Sequence, residues 1–255
     1  MPQKRVERDV VLPVIGTRAS DLPSRMLVVG DPSRARRIAE QFDDANEVGQ
    51  NREYLTITGS YRGHQVGVIS HGVGAAGAAV CFEELCRGGV EHLIRAGTAG
   101  GMQPHVVDGA LVISTAAVRN EGVTAGLVPL GFPAGASVNK VLALRKAAAA
   151  SPRAVEEGVV LSNAAFYSHG VLGSDLELWQ RAGVVAVEME AAALFITAAL
   201  HGVEAGAILA VDGNPLAEHD DDMSGYDPDR KVVHEAVDEM ITVSLEALTM
   251  SDDPA

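Results

Sequence analysis

The chain has 255 residues, 47% hydrophobic and 21% charged, with a formal net charge of −14. That length supports a sizeable core, the charge argues against nucleic-acid or anionic-membrane partners, and no run approaches the roughly 18 apolar residues of a membrane span. The N-terminal MPQKRVERDV lacks an apolar h-region, and the two cysteines, Cys81 and Cys86, are too few for a disulfide framework or a zinc site. The expectation is a cytoplasmic protein with packed thiols and no metal.

Residues 1–24 are polar, hold Pro2, Pro13 and Pro23, and read as an arm with a short strand at 10–12. MLVVGDPSRARRIAEQF then reads as a strand at 26–29, a Gly30-Asp31-Pro32 turn, and a helix from Ser33 that Asp31 or Ser33 can cap. Arg34 falls in its first turn, where a cation opposes the helix dipole. It is either a solvated surface residue or part of an anion-friendly helix start. NREYLTITGSYRG reads as two strand pieces, with Arg52, taken alone a surface residue, at the first.

The stretch from Gln65 to Gly101 organises the chain. Residues 66–70 form a short β-branched run, HGVGAAG a glycine turn, AAVCFEELC a helix ended by Gly88 and Gly89, and HLIRAG a second strand. Strand, turn, helix, strand is a βαβ unit with a parallel pair. Free backbone N–H groups at such a turn bind anions. Arg95 lies inside the second apolar run, just before GTAGG. A buried arginine is costly without an anion, so Arg95 meets either a bound phosphate or carboxylate ligand or a structural carboxylate. Gly72-x-Gly74-x-x-Gly77 matches the dinucleotide fingerprint. That fingerprint wants an acid about 20 residues on, at the end of the second strand; Arg95-Ala96-Gly97 stands there instead, which disfavours a Rossmann cofactor site.

Further along come a strand at 111–117, a Gly/Pro-rich loop at 120–137, a helix at 138–150 and a strand at 158–162. Phe166 and Tyr167 precede a loop and a short helix around Trp179. VVAVEMEAAALFITAALHG passes directly from strand to helix, and AGAILAVDGNP is the last strand, ending at Asp212. LAEHDDDMSGYDPDR reads as an acidic mobile loop, and an amphipathic helix closes the fold. Strands alternating with helices give an α/β fold with a largely parallel sheet. No linker is visible, so residues 1–255 read as one domain.

The Glu188-Met189-Glu190 segment puts two carboxylates at the C-terminal edge of that sheet, where ligands bind. In an extended segment they face opposite ways, so one can reach a ligand while the other anchors structure, or both are structural ion-pair partners. A carboxylate accepting two hydroxyls suits a ribose diol. Asp212 is either a turn former or a sheet-edge proton donor whose pKa apolar walls raise.

The motifs GDPSR, NREY, SHGVG, CFEELC, IRAGT, VEMEAAA and VDGNP occur in the order and spacing of the nucleoside phosphorylases of the uridine/purine type. The chain resembles that family from about Met26 to its last helix, most of all its malaria-parasite type of purine enzyme. The resemblance implies a three-layer αβα sandwich around a distorted barrel-like sheet, a hexamer built as a trimer of dimers, and phosphorolysis of a nucleoside to free base and ribose 1-phosphate. Inorganic phosphate would be a co-substrate, with no cofactor. Carried over by motif, Gly30, Arg34, Arg95 and Thr98 would bind phosphate, and Arg52 would reach the neighbouring subunit's phosphate. Glu190 would hold the ribose hydroxyls with Met189 beneath the sugar. Phe166 would stack on the base, Val187 would line its pocket, and Asp212 would bond purine N7.

There are departures from the family pattern. Its N-terminal histidine for the ribose 5′-hydroxyl has no counterpart: the matching stretch is Leu12-Pro13-Val14-Ile15, and the first histidine is His64. This makes an apolar 5′ substituent, as in 5′-methylthio nucleosides, plausible. The Glu218 region replaces a tryptophan of the parasite-type enzymes. The Gln-x-Arg pair with which uridine phosphorylases read uracil is missing, since Ser168-His169-Gly170-Val171-Leu172 follows Phe166-Tyr167. Purine is therefore expected over pyrimidine. The rivals are a uridine phosphorylase, a nucleosidase that uses water, and a non-catalytic nucleoside- or NADP-binding protein.

Overall fold

The computed structural model describes residues 4–217 and 227–250. Glu218 and most of the acidic stretch expected to be a mobile loop lie outside the described residues. Strand β1 (Arg25–Val29) shows how the layers arise. Met26 and Val28 enter one apolar cluster with Phe82, Leu85 and Phe195, whereas Leu27 and Val29 enter another with Ile38, Leu144 and Met240. A strand buried on both faces needs a continuous apolar run, as the sequence has. The first cluster is covered by α2 (Ala75–Gly88) and α5 (Ala191–His201), the second by α1 (Pro32–Ala39), α3 (Val138–Ala148) and α6 (Lys231–Thr249), while the short α4 (Leu176–Arg181) packs on a smaller third cluster. This is the expected three-layer arrangement.

The remaining strands are β2 (Asp43–Asn51), β3 (Tyr54–Tyr61), β4 (His64–Ser70), β5 (His92–Gly101), β6 (Leu111–Asn120), β7 (Ala134–Gly135), β8 (Val155–Asn163), β9 (Ala186–Glu188) and β10 (Glu204–Gly213). β5 pairs β10, β10 pairs β6, β6 pairs β8, β8 pairs β9, and β9 returns to β5, so the sheet closes into a barrel-like ring. β1, β4, β3 and β2 extend it from β5 as an open wing. Parallel pairing joins β4, β1, β5 and β10; antiparallel pairing enters at β10–β6, β5–β9 and along the wing's outer strands.

β5 is where wing and ring part. On one edge it pairs β1 as far as Val28↔Arg95, then pairs β9 from Gly100↔Val187. Between these points the two neighbours diverge, and a crevice opens at the fork, as at the switch point of other open α/β sheets.

Several elements differ from the sequence reading. β2 was not expected: DDANEVGQN has neither alternation nor an apolar face, and it forms as an exposed, twice-bulged edge strand protected by charge. The strand at 10–12 is only a bridge between Val11 and Arg18. The 120–137 loop contains a 3₁₀ turn (Val123–Gly126) and β7. Arg119 shapes it by donating to the carbonyls of Thr124, Pro129 and Phe132, each at 2.8 Å. Leu12 and Ile15, in the stretch that lacks the family's histidine, are buried, and Glu84 of α2 accepts from the N–H groups of Val14 (3.0 Å) and Ile15 (2.8 Å). Both cysteines are buried and unpaired. Among the described residues no helix is long and apolar enough to cross a membrane.

Candidate active site

Two strand-to-helix turns meet at the crevice. Because β1 and β4 are parallel neighbours, their bonding continues into the turns: His71 N–H donates to Val29 O (2.8 Å) and Gly72 N–H to Gly30 O (3.0 Å). Asp31 caps α1, accepting from Ser33 N–H at 2.8 Å. Gly74 precedes α2 at φ +97, a conformation open to glycine at no steric cost, and its N–H donates to Glu190 Oε1 at 2.6 Å.

Arg95 is 4% exposed, and protein groups hold it on three sides. Nε donates to Glu188 Oε2 at 3.0 Å, Nη2 meets Glu190 Oε2 at 2.5 Å, and Nη1 lies 3.4 Å from His71 Nε2. The guanidinium folds back over its own strand: a β-carbon on Gly97 would lie 2.9 Å from Arg95 Cζ. Burial opposes the arginine's charge, but the two glutamates outweigh it and its pKa is raised. The structural-carboxylate reading of Arg95 therefore holds, and Arg95 also lines the crevice.

The expectation that Glu188 and Glu190 face opposite ways is corrected. The extended segment ends at Glu188, and Glu190 has φ −138 and ψ −13 as the residue before α5, so both carboxylates turn onto Arg95. Glu188 is the anchor. Its Oε2 also accepts from the N–H groups of Glu190 (2.8 Å) and Ala191 (2.9 Å), and Oε1 accepts from Ser162 Oγ (2.5 Å). Burial pushes the Glu190 carboxyl above the ordinary glutamate value, Arg95 pulls it back and Glu188 adds to the rise. Both Glu190 oxygens face donors, which the ionised form alone satisfies.

Asp212 is the last residue but one of β10, 6% exposed, where the β10–β5 register slips between Val211 and Gly213. Arg230 fixes this corner, donating Nη2 to Asp212 O at 2.7 Å and meeting Asp108 through Nη1 at 2.5 Å. Phe166 is 58% exposed in the loop after β8, edge-on to Tyr167 with ring centroids 4.9 Å apart.

These groups converge on one cavity of about 1510 Å³. Gly30, Arg34, Arg95, Thr98, Phe166, Val187, Met189, Glu190 and Asp212 all line it; Arg52 does not. Arg52 is exposed in the turn between β2 and β3 at φ +54. Its neighbour Glu53 abuts Gly72, with Cγ 2.9 Å from where a β-carbon on that glycine would sit.

Residues 24–249 match the family model described as "Phosphorylase superfamily". The chain belongs to the phosphorylase superfamily. This phosphorylase is 37% identical to a purine nucleoside phosphorylase of Plasmodium vivax, over 90% of the chain and 92% of the relative. It is 36% identical to a uridine phosphorylase of Treponema pallidum, over 89% and 93%. The solved structure of a Toxoplasma gondii purine nucleoside phosphorylase in complex with immucillin-H superposes with a TM-score of 0.88 at 30% identity, over 96% of this chain and 97% of that one. The barrel-like α/β fold implied by the motifs is thus the fold of the phosphorylases. Purine- and uridine-named relatives stand at nearly equal identity.

Sequence reasoning missed four groups that contact the residues of the candidate site or each other: His71, Ser162, Asp108 and Arg230. Ser162 was readable only as the end of a strand, and Arg230 as part of an acidic loop. His71, beside a glycine turn, had no pattern to separate it from scaffold.

Proposed function

We propose that the chain is a cytoplasmic nucleoside phosphorylase that converts 6-oxopurine nucleosides and inorganic phosphate to free base and ribose 1-phosphate. The observation that carries this is the convergence of an arginine, two glycine turns, a sheet-edge glutamate and a sheet-edge aspartate on one cavity. Gly30, Arg34, Arg95 and Thr98 supply the anion subsite; Glu190, with Met189 beneath the sugar, takes the ribose diol; Phe166 and Val187 flank the base, with Asp212 at purine N7.

The chemistry follows from charge. A phosphate oxygen forms a bond to C1′ as the C1′–N9 bond breaks through an oxocarbenium-like state, and the bonding pair leaves with the base. The Asp212 carboxyl gives its proton to N7, so the base departs neutral, and the proton that phosphate sheds on esterification restores the carboxyl. Phosphate held by the cationic subsite stabilises the sugar cation. Each preorganised donor of this kind contributes about 3–4 kcal/mol by analogy with oxyanion holes.

The base preference rests on Asp212, for which a pyrimidine offers no N7, and on the absent uracil-reading pair after Tyr167. A panel of inosine, guanosine, adenosine, uridine and 5′-methylthio analogues, with and without phosphate, tests it. Inosine and guanosine should be turned over far faster than uridine; uridine as the better substrate would overturn the purine reading. The 5′-methylthio arm is included because the Leu12–Ile15 stretch is packed against Glu84 and offers no histidine to a 5′-hydroxyl.

Arg52 lies outside the cavity of its own chain, and its neighbour Glu53 abuts the Gly72 turn. By family resemblance it serves a neighbour's site in a hexamer built as a trimer of dimers. Light scattering during turnover should then show no active monomer; a fully active monomer would remove Arg52 from the site.

A further inference from the structure

His71 is fully buried, and both its ring nitrogens have an assigned direction. Nδ1 lies 2.9 Å from Gly72 O, an atom that only accepts, so Nδ1 carries the proton and Nε2 presents its lone pair. That lone pair faces Arg95 Nη1 at 3.4 Å. The ring packs edge-on against Phe82, centroids 5.3 Å apart, so it cannot swing away without disturbing the α2 core. Burial, aided by the charge of Arg95, pushes the imidazole pKa down to about 3, so the ring stays neutral and remains an acceptor.

We propose that His71 is a positioning residue for the anion subsite: as a fixed neutral acceptor it orients the Arg95 guanidinium and thereby sets the affinity for phosphate. Glu188 takes Nε and Glu190 takes Nη2, so both carboxylates grip one edge of the fork. His71 holds the opposite terminal nitrogen, Nη1. The remaining hydrogen on each of Nη1 and Nη2 is then aimed in a fixed direction, which bidentate phosphate recognition requires. An aromatic hydrocarbon at position 71 would fill the same space against Phe82; only an acceptor fixes the fork.

This inference rests on the phosphorolytic reading, and the test separates the two. Phosphate and nucleoside KM values are measured for the wild type, His71→Phe and His71→Gln, together with the phosphate-dependent rise in Tm. His71→Phe should raise the phosphate KM about 10-fold, the lower worth of a hydrogen bond to a charged group, and shrink the phosphate-induced Tm rise. The nucleoside KM should change less than about twofold. His71→Gln, whose amide oxygen can accept from Nη1, should stay near wild type. If phenylalanine does not fold, His71→Leu takes its place. A folded apolar variant with the wild-type phosphate KM, or one in which both KM values rise alike, would overturn the inference and leave the phosphorylase reading standing. A wild-type protein that cleaves nucleosides with no need of phosphate would overturn both.

Discussion

Asp212→Asn is expected to lower kcat by about 10²–10⁴-fold, the usual span for general acid catalysis, with a smaller effect on KM because the proton matters most as the glycosidic bond breaks. Asparagine keeps the shape of the side chain but has no acidic proton to deliver. Arg230 donates to the carbonyl of residue 212, a contact the substitution leaves in place. A near-wild-type kcat on inosine for a folded Asp212→Asn would remove Asp212 from the proton transfer.

The second large effect is expected at Arg95, in stability as well as catalysis. Arg95→Ala leaves Glu188 and Glu190 buried without their common cation, a loss worth roughly 3–5 kcal/mol when one partner of a buried pair is removed. Thermal or urea unfolding reads this directly, and an unchanged Tm would contradict the pairing. Arg95→Lys keeps the charge but loses the planar fork, so it isolates the catalytic part; kcat should fall about 10²–10³-fold, as for loss of an oxyanion donor. Gly97→Ala should move in the same direction by pushing the guanidinium aside, since a shift of about 1 Å can cost about 10²-fold. Full activity of Arg95→Lys in limiting phosphate would place phosphate elsewhere.

Why some of this was readable and some not is a matter of range. Arg95 was conspicuous because a charge inside an apolar run must meet an anion, and Gly30, Gly72 and Gly74 because strand-to-helix turns carry local signatures. Asp212 was visible as an acid ending the last buried strand. The convergence of Glu188 and Glu190 was not visible, because period-two alternation holds only while the chain stays extended, and it leaves that state at Glu190. His71 and Arg95 are 24 residues apart, and only the β1-centred pairing of β4 and β5 brings them together. β2 escaped notice because an exposed edge strand is selected for charge, not for an apolar face. The ring closure could not be derived from periodicity at all, since it depends on β9, a strand three residues long whose pairing is entirely non-local.

The most direct test of the account is phosphorus NMR of the wild type with inosine and limiting inorganic phosphate. Phosphorolysis predicts that the inorganic phosphate signal converts to a ribose 1-phosphate ester in step with hypoxanthine release, and that turnover stops when phosphate is exhausted. Hypoxanthine released with no phosphate ester formed, at a rate independent of phosphate, would contradict it and make water the nucleophile.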